Sequence, residues 1–381
     1  MTRLSVDVVT GLDGVAAEWD ELAAGRSLYL DRRWLRSLEH DPALEARYVL
    51  VRDDEKLLGA LPAYVWDGAE GWATGAYDVS WALRRAVVGA ARDDAYPAVL
   101  AGSRAGYANE PLLAPGLPEE LRREVAAALL EAVDELADEA GASVVAFPFL
   151  TRRGLLELAP AIDRFGPRLL QSAGTRLEVR WRSFEGYMRS LRARRRNRTK
   201  VELRRFEECG LTVERLRLAD CHEELAPLCA ESVAASLRAQ AAELDDESVV
   251  FLARRNGRAA GFSLAYEHER VLHVRGVGFD YEQVGCDAAY FKLTYYLPIA
   301  YAGEAGLEAL ELGPTSYRAK LVRGCRPYPL LSVVRPAPAH RAALAAWAPR
   351  WNESAFSWSE GQFADFARLE RHAWLPEPEA A

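Results

Sequence analysis

The chain has 381 residues, a formal charge of −8, 50% hydrophobic and 27% charged residues. That length is about twice one domain, and the composition excludes a disordered or collagen-like chain. No run approaches the roughly 18 apolar residues of a membrane helix, and residues 1–7 read as a strand rather than a secretory leader, so a cytoplasmic protein is expected.

In chain order, residues 50–64 read as strand, polar turn, strand. Between 105 and 116 two prolines interrupt the chain and no short loop springs into a helix, so the first half offers no obvious anion site and is expected to shape a cleft for the second half or to serve structure alone. An amphipathic helix over 118–140 leads to a strand ending near 148, and 169–180 is a further strand. A long helix is expected over 182–208. From Arg189 to Arg205 it carries nine basic residues against one acid, Glu202, so the segment is +8 and the remainder of the chain −16. Between Arg192 and Lys200 only Ala193 is apolar, so cations surround the helix. Such crowding stabilises little by itself and suits phosphate contacts, unless acids elsewhere neutralise it.

Residues 211–218 read as a strand and 221–237 as a helix. Two apolar runs, 249–254 and 259–266, are joined through Asn256-Gly257, a pair that supplies positive φ cheaply and predicts a hairpin. A third strand covers 271–279, a polar loop 280–287, a helix 288–301 and another strand 307–312. Alternation puts His273 and Arg275 on one face of the third strand, while Gly276 and Gly278 let a substrate approach the backbone. Asp280, Tyr281 and Glu282 line the mouth of the loop, and Asp287 is placed to cap the following helix. Further on come a strand at 330–334 and two short helices, 341–351 and 360–374, whose Trp347, Trp351, Trp358 and Trp374 are expected to pack on the body. Cys209, Cys221, Cys229, Cys286 and Cys325 are odd in number and lack metal-ligand spacing, so free buried thiols are expected, without zinc or a disulfide framework.

Residues 50–64 can be laid on 252–266 with Gly59 on Gly261, Ala63 on Ala265 and Tyr64 on Tyr266, and the Glu-Ala-Gly at 139 recurs at 304. This ordered recurrence predicts two related lobes.

Three strands, a loop opening onto a helix and a further strand resemble the core of the GNAT acyltransferase fold. Glu311-Leu-Gly-Pro-Thr-Ser-Tyr-Arg-Ala-Lys320-Leu-Val-Arg323-Gly324-Cys-Arg-Pro327 resembles the region after the fifth strand in Fem-type aminoacyltransferases and their peptidoglycan-biosynthesis relatives, where a glycine-ended strand leads to a Lys, often followed by Arg-Gly and Pro. Similar basic helices occur in those sequences. The resemblance implies an α/β fold of tandem GNAT-like lobes, each a mixed, mostly antiparallel sheet flanked by helices: a first lobe over 1–180, a basic linking helix over 181–210, a catalytic lobe over 211–335 and a helical tail over 336–381. It implies transfer of an acyl group to an amine in cell-wall or specialised-metabolite biosynthesis. No Ser-His-Asp or Cys-His arrangement is visible, so direct transfer is favoured over a covalent intermediate.

Candidate catalytic residues are His273, Arg275, Tyr317 and Lys320; Tyr317 stands where GNAT enzymes often keep a Tyr acid, and Lys320 matches a Fem-type Lys thought to neutralise phosphate or carboxylate. Candidate donor-binding residues are Arg192, Arg195, Arg196, Arg198, Lys200, Gly278, Gln283, Gly285 and Arg323. CoA-dependent GNAT loops resemble Gln/Arg-x-x-Gly-x-Gly/Ala and hold pyrophosphate on N–H groups at the helix start. Here Cys286 replaces the central glycine, and Asp287 would add negative charge at that point. Together with the basic segment this favours aminoacyl-tRNA as donor, with acyl-CoA the alternative, and neither a tightly bound cofactor nor a metal. tRNA and a muropeptide or small-molecule amine are the expected partners. The rival class is a non-catalytic protein whose basic helix binds nucleic acid.

Overall fold

The computed structural model describes residues 4–39, 44–54, 56–68, 77–159 and 161–375. Its strands are β1 (Leu4–Val9), β2 (Leu44–Asp53), β3 (Lys56–Trp66), β4 (Ala98–Ala101), β5 (Leu112–Leu113), β6 (Val144–Leu150), β7 (Arg168–Glu178), β8 (Thr212–Leu216), β9 (Ser248–Arg255), β10 (Arg258–His268), β11 (Val271–Phe279), β12 (Ala309–Glu311) and β13 (Arg326–Pro336). The chain divides into two units, Met1–Ala173 with Pro329–Ala381, and Gly174–Tyr328.

In the first unit β1 to β4 pair antiparallel in order, and β5 adds to β3. The helix Glu119–Glu139 then crosses over to β6, which runs parallel to β4. Every residue of β6 is buried, and its sequence Val-Val-Ala-Phe-Pro-Phe-Leu is the unbroken apolar run of a strand covered on both faces. Its antiparallel neighbour is supplied by Leu331–Pro336 of β13.

The second unit repeats the scheme. β8 to β11 pair antiparallel in order, a helical stretch from Ala288 to Glu304 crosses over, and β12 runs parallel to β11 with β7 antiparallel on its far side. The β9–β10 turn uses Asn256 and Gly257 at φ of 51° and 79°, the pair of left-handed residues a two-residue hairpin requires. Within the crossover, one π turn over Lys292–Tyr296 brings the consecutive Tyr295 and Tyr296 both inward, at 0% and 2% exposure. They join a core with Val249, Phe251, Leu272 and Leu310.

Several expected elements are subdivided or merged. The helix expected over 182–208 is two, Phe184–Ser190 and Ala193–Glu208, because Leu191 and Arg192 are extended and Arg196 turns back to donate to the carbonyls of Met188, Arg189 and Leu191 at 2.9, 3.2 and 2.9 Å. The helix expected over 221–237 becomes His222–Leu225 and Glu231–Leu244, separated around Pro227. The tail holds one long helix, Pro338–Phe363, with Pro349 inside it, and a short one at Arg371–Trp374. Trp347 and Trp351 stack at 5.1 Å and meet Trp81 at 6.2 and 5.3 Å, the packing on the body that was expected of them.

Candidate active site and cationic cleft

The parallel pair β11–β12 spans three residues and ends with His273 beside Glu311. Beyond that point the strands part. Leu312 N donates to Thr175 O at 3.0 Å and Thr175 Oγ1 donates to Gly313 O at 2.7 Å, so the chain after β12 stays with β7, while β11 continues against β10 to Phe279. His273, Glu311 and Arg176 occupy one register row across β11, β12 and β7.

At this fork burial inverts the ordinary order of a carboxyl and an imidazole. The Glu311 carboxylate accepts from Arg176 Nη1 and from the Tyr328 hydroxyl, each at 3.0 Å. Burial nonetheless pushes it up to about 6, outweighing the pull of Arg176 and Tyr328. His273, 6% exposed, is driven down to about 3, by burial first and then by His268, Arg275 and Arg176. It is therefore neutral at physiological pH and too weak a base to take a proton there. Glu311 is the group poised to accept one. Arg275 is not held beside His273 by simple alternation, because the β10–β11 register shifts at Leu264/Ala265 and leaves Arg275 as the extra residue of a bulge.

Lys320 takes a part the sequence did not suggest. It is 5% exposed, and its Nζ donates to the carbonyls of Leu312, Gly313 and Pro314 at 2.7, 3.0 and 2.7 Å. Burial lowers its ammonium to about 8. The residues it ties are the lip of the fork, where Gly313, Thr315 and Ser316 all have positive φ. Two non-glycine residues in succession in that conformation need such an anchor. Tyr317 is half-buried and opens the short helix Tyr317–Leu321 that carries Lys320.

A second feature of the same unit is a cleft of about 290 Å³ lined by Arg195, Arg198, Arg318 and Arg323 against a single acid, Glu202. Arg323 is buried, donates to Glu202 Oε2 at 2.8 Å and to the Tyr296 hydroxyl at 2.9 Å, and lies over the rings of Phe291, Tyr295 and Tyr296 at 4.6, 4.5 and 4.9 Å. Arg198 Nε donates to Glu202 Oε1 at 2.9 Å. Arg195 is pulled below the usual guanidinium range, first by burial and then by Arg198, Arg323, Arg194 and Arg318, which records the positive potential of the cleft. An anion entering it would relieve that repulsion. The structure thus gathers Arg195, Arg198 and Arg323 and adds Arg318. Arg196 is engaged with carbonyls, and Arg192 and Lys200 are exposed outside the lining.

The loop after β11 departs from expectation. Asp287 stands at the start of the helix beginning at Ala288 but makes no side-chain cap bond there, while a separate helical turn, Tyr281–Val284, is capped by Asp280, whose carboxylate accepts from Glu282 N and Gln283 N at 3.0 and 3.1 Å. Gly285 closes that turn at φ 65°. Arg255 gathers the carbonyls of Gln283, Val284 and Cys209 at 2.5, 3.2 and 2.6 Å. Cys209 and Cys286 are joined in a disulfide, which corrects the expectation of five free thiols; Cys221, Cys229 and Cys325 are free. Gly278 admits the chain's own backbone, since a Cβ there would lie 2.3 Å from Leu228 O.

The sequence pattern of the FemAB-like family, described as peptidoglycan biosynthesis/recognition, matches residues 13–360. No curated protein matches the chain by sequence. Among solved structures, FemX is similar at 11% identity and TM-score 0.54, over 86% of this chain and 95% of its own. A tandem GNAT protein from the clavulanic acid biosynthesis pathway, solved without AcCoA, is similar at 14% identity and TM-score 0.53, over 88% and 98%. A conserved protein of unknown function from Bacteroides thetaiotaomicron is similar at 11% identity and TM-score 0.52, over 87% and 99%. These likenesses establish the tandem GNAT-like α/β fold.

Proposed function

The chain belongs to the FemAB-like peptidoglycan biosynthesis/recognition family, a membership that with its GNAT-like fold supports an acyltransferase role, and from that premise we propose that its second unit transfers an aminoacyl group from aminoacyl-tRNA to an amine. The observation that carries the proposal is the Glu311 carboxyl, held near pKa 6 where β11 and β12 part. The acceptor ammonium gives its proton to Glu311, the free amine attacks the donor ester carbonyl, a C–N bond forms, and the C–O bond to the ribose breaks. The amine nitrogen gives up its second proton to solvent as the amide forms, and the proton held on Glu311 passes to the departing ribose oxygen. Lys320 takes no proton in this scheme; it keeps the lip in place. The cationic cleft suits the donor's phosphates, and a muropeptide or a small biosynthetic amine suits the acceptor side.

Titration with charged tRNA and with CoA at low and moderate salt tests the donor. Filter retention of charged tRNA that falls steeply with salt is expected, because phosphate contacts release counterions. Stabilisation by micromolar CoA, read as a raised melting temperature, with no salt-dependent retention of tRNA, would replace the donor by acyl-CoA. Retention without any transfer to amines would leave a nucleic-acid-binding protein.

A further inference from the structure

The first unit holds a larger cavity, of about 740 Å³, that the transfer reading leaves unused. Its walls are β13, the segment from Asp163 to Arg168 and the long helix Pro338–Phe363. The floor is apolar: Phe165, Leu331, Leu344 and Ala348, each no more than 2% exposed. The volume falls in the range of small-molecule sites, about 300–1,000 Å³.

The charges around that floor do not cancel. Arg168 is matched by Asp163 through contacts of 2.8 and 2.9 Å, and Arg371 by Glu353. Arg164 and Arg335, however, share one carboxylate, that of Asp134, and both lie over the ring of Phe165, at 5.3 and 5.0 Å. Arg341 is exposed on the first turn of the long helix, with no acidic partner among the described residues. The rim therefore carries guanidinium charge beyond what its acids neutralise, directly above buried hydrocarbon. Apolar floor and cationic rim together select against both a bare inorganic anion, which gains nothing from the floor, and a neutral or cationic chain, which gains nothing from the rim.

We infer that this cavity binds a single-chain amphiphile, an apolar tail with a carboxylate or phosphate head, with the tail on the Phe165–Leu344 floor and the head among Arg164, Arg335 and Arg341. The site lies wholly within the first unit and does not rest on the transfer reading.

Laurate, below its micelle concentration, is the probe, with dodecylammonium and dodecanol as controls of equal tail length, all by isothermal titration of the full chain. Laurate should bind at least tenfold more tightly than either control. Ala345→Trp projects a ring into the cavity from an exposed helical position, and it should weaken laurate at least tenfold with the melting temperature unchanged. Arg341→Glu should do the same through the head group alone. Absence of laurate binding, equal binding of dodecylammonium or dodecanol, or wild-type affinity in both variants overturns the inference.

Discussion

Glu311 is where burial and chemistry meet most directly. Its side chain is 16% exposed, and a carboxyl raised to about 6 by desolvation ionises just below neutrality, where a general base is most effective. Glu311→Gln keeps the shape and removes the charge, and it is expected to lower kcat on the order of 10²–10⁴-fold with KM little changed. Wild-type kcat should rise through pH 6, and the Gln variant should lose that step. The stability effect has the opposite sense. Because the folded carboxyl binds its proton more tightly than an ordinary carboxylate at 4.5, the contribution is present in full below 4.5 and is lost as pH rises through about 6. Melting curves of Glu311→Gln should therefore lack this fall, which amounts to about 2 kcal/mol. A wild-type rate that stays flat from pH 5 to 8 removes Glu311 from the scheme. His273 was legible in the sequence as a titratable residue on the right strand, but its neutrality was not, since enclosure by neighbouring strands leaves no local signature. Glu311 was in plain view inside the Fem-like segment, yet only the three-residue register with β11 makes it the partner of His273.

At the scale of elements, what could be read was what glycine, proline and short polar turns dictate. Asn256-Gly257 gave its hairpin, and the order of strands, loop, helix and strand stands. What could not be read depends on a distant partner. Arg196 ends a helix eight residues behind itself at Met188, and Cys209 finds Cys286 across 77 residues. Lys320 belongs to the same class. A family-matched lysine after a glycine-ended strand suggests an exposed cation facing a ligand, whereas here three carbonyls claim its ammonium. Lys320→Met preserves the apolar stem and strips those acceptors of their donor, so a loss of about 3 kcal/mol is expected in denaturant unfolding. Lys200→Met, at an exposed position, should stay within about 0.5 kcal/mol of wild type. An unchanged midpoint for Lys320→Met would return the residue to a ligand-facing part.

Across the whole molecule, the repeat seen in sequence corresponds to two units of like topology: four antiparallel strands, a crossover helix, a parallel strand and a final antiparallel one. The source of that final strand was not legible, because pairing of β12 with β7 and of β6 with β13 links strands far apart in the chain. Charge is distributed unevenly along the chain. A chain of −8 that concentrates +8 between Arg189 and Arg205 repels polyanions over most of its surface and attracts them at one segment, which favours oriented encounter over diffuse binding. Within that segment the structure distinguishes cations that line the cleft from cations that merely decorate the helix. Each phosphate contact contributes about 0.9 to the slope of log affinity against log salt for duplex and about 0.7 for single strands. Arg195→Ala and Arg318→Ala should therefore each lower the charged-tRNA slope by close to 1, whereas Arg192→Ala and Lys200→Ala should change it by much less. Arg318 is the sharper case, since it lies outside the basic segment and would be passed over by any count of charge along the helix. Equal slope losses at all four positions would mean that the segment acts as a diffuse charge and that the cleft holds no phosphate.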